Sequence, residues 1–157
     1  MNMSFSEKSA WISLVILVYV WGDFTFGLFA LHSSTEAMSV KRDIALGMLG
    51  TAVIAVIIAE AVFHTILAMA HPSSQEQQGD ERDKQILLIA TKPAYAILFT
   101  GVMVATGHLL IVEQWNNMIE HSSLQIPFIA IHILLFSALI AEMVRFVIMI
   151  KEYRLGV

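Results

Sequence analysis

Four apolar stretches, each long enough to cross a bilayer, constrain this chain more than any other feature of its sequence. A spanning helix needs about 20 mostly apolar residues, and the stretches cover roughly residues 10–31, 44–70, 93–112 and 126–150. The chain is 57% hydrophobic, well above the average for soluble domains. Because lipid offers no hydrogen bonds to an open backbone, these stretches should be helical. The sequence predicts one all-α domain, residues 1–157, built as a polytopic four-transmembrane-helix bundle in a lipid bilayer.

The basic residues are distributed unevenly between the two sides of this arrangement. Lys8, Arg82, Lys84, Lys92, Arg145, Lys151 and Arg154 fall on one side, whereas Lys41 and Arg42 fall on the other. Since cytoplasmic loops carry an excess of Lys and Arg, we expect both termini and the 71–92 loop in the cytoplasm. The net charge of -4 and the lack of a basic stripe argue against nucleic acid as a partner.

Cysteine is absent from the sequence. The chain therefore cannot form disulfides, use a thiolate nucleophile, or hold zinc or an iron–sulfur cluster through cysteine sulfur. These absences exclude the quinone-linked disulfide oxidases, which also have four membrane helices.

Two pairs of segments resemble each other at nearly the same separation. Residues 8–11 match residues 92–95 at a separation of 84, and residues 58–62 match residues 140–144 at a separation of 82. The spacing favours a tandem duplication of a helical hairpin, in which two parallel copies are related by a pseudo-twofold axis along the membrane normal. Chance similarity between apolar helices is the alternative.

Ionisable side chains inside spans are rare and usually face the bundle interior. Glu60 and His64 are four residues apart, and Glu142 and Arg145 are three apart, so each pair shares one helix face. If the two carboxylates face each other, either one is protonated or His64 and Arg145 compensate them. Together with Asp23 these residues form a predicted buried polar or proton site. Structural pairing between neighbours is the alternative.

A second polar set lies nearer the outer side of the predicted bundle. Helical rise places Asp23, His108 and His132 at a common depth, about 10 Å below the outer surface. Two imidazoles and a carboxylate could bind a transition metal, relay protons, or simply join helices by hydrogen bonds. His108 and His132 could also hold one haem. We expect no cofactor, and we keep haem and a transition metal as alternatives.

Catalytic motifs are weak in this sequence. Glu60 and His64 have the spacing of part of a metal-binding helix, but the second His of a His-Glu-x-x-His motif is missing. We therefore favour a protein that is not an enzyme.

Two segments that each open a span carry a resemblance to a known family: Ser6 to Trp11 and Gly79 to Ile86. With these segments the chain resembles a family of small bacterial inner-membrane proteins that have four helices and no assigned activity. The resemblance covers most of the chain. It implies a multi-pass protein of the bacterial inner membrane and supplies no catalytic residues.

These observations favour a protein that binds a partner or a small ligand through its buried polar network. A homo-oligomer is expected if the small-residue spacing of Gly101 and Ala105 marks a contact face, although packing within one chain explains that spacing equally well. A cytoplasmic protein partner could bind the 72–92 loop. The alternatives are a small proton-coupled transporter or channel, in which Asp23, Glu60 and Glu142 change protonation, and a haem- or metal-binding redox protein.

Overall fold

The computed structural model describes residues 3–70, 80–114 and 129–155, and four long helices contain most of them. They are α1 (Phe5–His32), α2 (Met38–Ala70), α3 (Glu81–Gln114) and α4 (Ile129–Leu155). All four are long and apolar enough to cross a membrane. The predicted all-α, four-helix membrane architecture is therefore confirmed. Residues 126–128 of the fourth predicted span and residues 71–79 of the predicted cytoplasmic loop lie outside the described residues.

Side-chain caps set the points at which α1 and α3 begin. The Ser4 side chain accepts a hydrogen bond from the Glu7 backbone nitrogen at 3.1 Å, and Asp80 Oδ1 accepts one from the Asp83 backbone nitrogen at 2.8 Å. Serine and aspartate stabilise helix starts in this way because the first backbone N–H groups of a helix have no partner within it. The Asp80 cap explains why α3 begins at Glu81, before its apolar span.

A lysine side chain closes the short connection between α1 and α2. Lys41 Nζ donates to the carbonyl oxygens of His32 at 3.1 Å and Ser34 at 2.8 Å. Carbonyl groups at a helix end carry partial negative charge, so a lysine there stabilises the end of α1. This contact fixes the reversal that makes α1 and α2 a hairpin.

The helices pack in the order α2, α1, α4, α3, with α1 and α4 as the central pair. Extensive contacts join α1 to α2, α1 to α4, and α3 to α4. Gly101 and Ala105 of α3 are both buried, and a Cβ added at Gly101 would fall on the Ser137 side chain of α4. Small residues therefore allow α3 and α4 to approach closely within one chain.

An apolar cluster fills the middle of the bundle. Leu17, Trp21 and Phe24 of α1 pack with Ala52 of α2 and Leu139 of α4. The rings of Trp21 and Phe24 meet edge to face at 5.3 Å, a geometry that aromatic pairs prefer. We call these five residues the apolar plug.

Polar side chains connect three helices where the N-terminus of α1 meets the start of α3 and the end of α4. Glu7 Oε1 lies 2.6 Å from Arg154 Nε. Asp83 accepts hydrogen bonds from Ser6 Oγ at 2.9 Å and from the Tyr153 hydroxyl at 2.6 Å. We call Ser6, Glu7, Asp83, Tyr153 and Arg154 the inner-end cluster, after the end of the bundle that the sequence predicts to be cytoplasmic. It places both ends of the described chain and the start of α3 at the same end of the bundle.

Candidate functional site

A polar cavity lies between the inner-end cluster and the apolar plug, bounded by α1, α2 and α4. Its volume is about 460 Å³. Its walls combine ionisable and hydroxyl groups with apolar side chains: Ser9, Ala10, Ser13, Leu17, Glu60, His64, Glu142, Arg145, Phe146 and Met149. Four of the five residues predicted for the buried polar site are thus brought together from α2 and α4 on one face of α1.

Glu60 and His64 form a contact along one face of α2. His64 Nε2 lies 2.7 Å from Glu60 Oε2, as their spacing of one helical turn predicts. Ser13 of α1 is buried and donates to the same Glu60 oxygen at 2.9 Å, and its hydroxyl lies 3.1 Å from His64 Nε2. The Ser13 hydroxyl of α1 therefore contacts both members of the Glu60–His64 pair on α2.

The second ring nitrogen of His64 also faces α1. Ser9 Oγ lies 3.4 Å from His64 Nδ1, one helical turn before Ser13. Both nitrogens of the imidazole thus have hydroxyl neighbours, and Nε2 has a carboxylate neighbour as well. A ring held in this way can pass a proton from one nitrogen side to the other without leaving its position.

Arg145 compensates the second carboxylate of the cavity. Arg145 Nε donates to Glu142 Oε2 at 2.9 Å, and its Nη2 contacts the same oxygen. The guanidinium carbon also lies 4.6 Å from the centre of the Phe146 ring, within the range of a cation–π contact. Each carboxylate thus has its own basic neighbour, but His64 compensates Glu60 only in its protonated form, whereas Arg145 carries a permanent charge.

Each of the two carboxylates has one oxygen that has no partner among the described residues. All hydrogen bonds and ion pairs of Glu60 and Glu142 with the described residues go to Oε2. Oε1 of each therefore accepts none within the part of the chain that the structure describes. Both oxygens can therefore accept a hydrogen bond from an occupant of the cavity or contact a positive charge on it.

The apolar plug closes the cavity on the side away from the inner end. Leu17 belongs to both, and Trp21 and Phe24 follow it along α1. On the opposite side, Glu7 of the inner-end cluster lies only two residues before Ser9. The polar groups of the cavity therefore lie in the half of the bundle that contains the inner-end cluster.

The structure does not join Asp23 to this cavity. Asp23 is exposed on α1, ten residues beyond Ser13, which corresponds to about 15 Å of helix. His132 of α4 stacks against Phe24 with ring centres 6.5 Å apart, and His108 Nδ1 of α3 is buried with no hydrogen-bond partner among the described residues. Among those residues, no group of three or more His, Asp or Glu is arranged to hold a metal ion.

Ser9 and Ser13 are the polar cavity residues that sequence reasoning missed. They lie four residues apart in α1, so they share one face of that helix. Two hydroxyls at this spacing near the start of an otherwise apolar span are the feature that could have identified them, because serine in a membrane helix often hydrogen-bonds to a neighbouring helix.

No family model, curated protein or solved structure matches the chain. The chemistry of the cavity therefore carries the functional inference.

Proposed function

We propose that this protein binds a small ligand through the polar groups of its intramembrane cavity. The observation that carries the proposal is a space of about 460 Å³ lined by Glu60, His64, Glu142 and Arg145 within four apolar helices. Ligand sites are typically concave, largely apolar, and equipped with a few convergent polar groups. Placing such groups in a membrane is costly, so they usually serve a function.

We place the protein in the bacterial inner membrane with both termini in the cytoplasm. The excess of basic residues on that side and the resemblance to small bacterial membrane proteins support this orientation. The cavity then lies in the cytoplasmic half of the bilayer. A homo-oligomer and a cytoplasmic partner at the 72–92 loop stay predictions.

Cysteine accessibility tests the cavity directly, because the natural chain has no cysteine. Single cysteines are introduced as Met149→Cys and Ser9→Cys, and Ile57→Cys on the exposed face of α2 is the matched control. N-ethylmaleimide, which crosses both water and lipid, reacts with thiolates, and thiolates form only in a polar environment. We expect both cavity cysteines to react much faster than the control. Equal rates in folded protein would contradict the proposal.

A second candidate is a proton-coupled transporter. It is favoured by the continuous series of contacts from Ser9 through His64 to Glu60 and Ser13. Groups that exchange protons along such a series can couple ligand movement to pH.

Flux measurements in proteoliposomes test the second candidate. Glu60→Gln and Glu142→Gln should each abolish a pH-dependent flux of the transported ion while the purified protein keeps nearly its original melting temperature. The absence of any flux by the unmodified protein, in vesicles where it is correctly folded, would reject transport.

A further inference from the structure

We propose that the ligand of the cavity is a lipophilic organic monocation that enters sideways between α2 and α4. This inference rests on the proposed function and adds the charge, the polarity and the route of the ligand. Three features carry it: the charge of the cavity, its free hydrogen-bond acceptors, and the packing order of the helices.

The charge of the cavity favours a cation. Arg145 and Glu142 neutralise each other through two contacts to a single oxygen. Glu60 is compensated only when His64 carries a proton. The cavity thus holds two acidic side chains, Glu60 and Glu142, but only one permanently charged base, Arg145. One positive charge on the ligand can pair with the second acidic group.

The free carboxylate oxygens favour a positively charged group over a negatively charged one. Oε1 of Glu60 and Oε1 of Glu142 accept no hydrogen bond from the described residues. The guanidinium of Arg145 is already directed at Glu142 and stands over the Phe146 ring. An anion would have to displace that pairing, whereas a cation finds its counter-charge available at Glu60.

The packing order of the helices places the entrance at the side of the bundle. The cavity lies on α1 with α2 and α4 on either side, yet α2 and α4 are not among the extensively packed pairs. Glu60 is ten residues before Ala70, about 15 Å of helix from the inner end. An opening between α2 and α4 at that depth leads into hydrocarbon rather than water.

The walls suit a ligand with apolar substituents. Leu17, Phe146 and Met149 line the cavity beside the ionisable groups. A compound that reaches the site through lipid must carry apolar surface, since a compact hydrated ion does not partition into hydrocarbon. A volume of about 460 Å³ is in the range of sites that bind drug-sized molecules.

Charge-matched probes test the inference on the unmodified protein. Tetraphenylphosphonium is a lipophilic monocation, tetraphenylborate is an anion of nearly the same shape, and tetramethylammonium is a cation without large apolar substituents. Binding is measured by equilibrium dialysis with protein in lipid nanodiscs, and empty nanodiscs correct for partition into lipid. We expect tetraphenylphosphonium to bind at least about tenfold more tightly than tetraphenylborate, because opposite charges attract strongly at reduced dielectric constant. It should also bind at least about tenfold more tightly than tetramethylammonium, because its rings bury more apolar surface in the cavity.

Two variants locate the binding. Glu60→Gln should weaken tetraphenylphosphonium binding about tenfold or more. Asp43→Asn, which removes an exposed carboxylate near the start of the same helix, is the matched control and should leave binding unchanged. If Glu60→Gln fails to fold, the comparison of the three probes on the unmodified protein still decides.

The outcomes separate this inference from the proposed function. Tighter binding of tetraphenylborate, or cation binding that is unaffected by Glu60→Gln, overturns the inference. The inference is also overturned if no probe binds while Met149→Cys remains reactive. In each of these cases the proposal that the cavity binds a small ligand is unaffected, and only the ligand class is wrong. If Met149→Cys is also no more reactive than Ile57→Cys, the proposed function fails together with the inference.

Discussion

The ionisable residues of the cavity are paired by local spacing and oriented by a distant residue. Glu60 with His64 and Glu142 with Arg145 each use one turn of their own helix. The hydroxyl of Ser13 comes from a different helix, 47 residues from Glu60 in the chain. Local pairing therefore gives each carboxylate a basic neighbour, whereas the interhelical bond determines where the α2 pair lies relative to α1.

A single glycine controls the approach of α3 to α4. A Cβ at Gly101 would meet both the Oγ and the Cβ of Ser137, whose hydroxyl already donates to the Ile133 carbonyl at 2.6 Å. Because a Cβ is rigid, the helices would have to separate. We expect Gly101→Ala to lower the free energy of unfolding by about 1–3 kcal/mol, measured by thermal or denaturant unfolding in detergent.

Gly107 on the same helix is the matched control for that substitution. A Cβ there would meet nothing within 4 Å, so Gly107→Ala should be neutral or slightly stabilising, since alanine favours helix. Equal effects of the two substitutions would show that Gly101 contributes through helix propensity and not through contact with α4.

At the scale of the helices, the inner-end cluster joins three elements, α1, α3 and α4. Asp83 of α3 binds both Ser6 of α1 and Tyr153 of α4. Glu7 of α1 is only 6% exposed and pairs with Arg154 of α4. A carboxylate buried to this extent is stable only with such a partner. The cluster therefore keeps the inner ends of α1, α3 and α4 in contact beneath the cavity.

Removing one hydroxyl should loosen this junction. Tyr153→Phe deletes the hydrogen bond to Asp83 Oδ1 and keeps the ring. Hydrogen bonds to charged groups contribute about 1.5–3 kcal/mol, and the half-buried position favours the lower value. We expect a loss of about 1.5 kcal/mol in the free energy of unfolding. Tyr95→Phe, whose exposed ring stacks on Phe99, is the control and should have little effect.

At the scale of the whole molecule, the contacts between helices are not symmetric. The duplication predicted from the sequence relates the α1–α2 hairpin to the α3–α4 hairpin. A pseudo-twofold axis would then convert the α1–α4 contact into an α3–α2 contact, yet α2 and α3 are not an extensively packed pair among the described residues. The duplication stays a prediction, and the cavity is built by a central pair, α1 and α4, together with α2.

The proposed orientation can be measured by labelling in cells. Thr35→Cys lies between α1 and α2, and Gln85→Cys lies near the start of α3, both at exposed positions. A membrane-impermeant maleimide added from outside the inner membrane should label Thr35→Cys in intact cells and Gln85→Cys only after permeabilisation. The reverse pattern would contradict the orientation, and labelling of both from one side would contradict a spanning α2.

Much of the fold could be predicted from the sequence, because membrane insertion depends on local properties such as the length of each apolar stretch. Apolar length predicts each span, and the capping residue Asp80 predicts the start of α3 at Glu81. The pairing of Glu60 with His64 likewise follows from one helical turn. The depth of a residue in the membrane can also be predicted locally, because it depends only on how far along its helix the residue lies.

Which side of each helix faces its neighbours was decided by tertiary packing. Asp23 has the same predicted depth as His108 and His132, but it is exposed on the bundle surface. In a soluble protein the apolar stripe of a helix marks its buried face, whereas lipid is as apolar as the core and all faces of these helices carry apolar residues. The number of helices was therefore set by sequence alone, whereas the meeting of Ser13 of α1 with Glu60 of α2 was decided by how the helices pack.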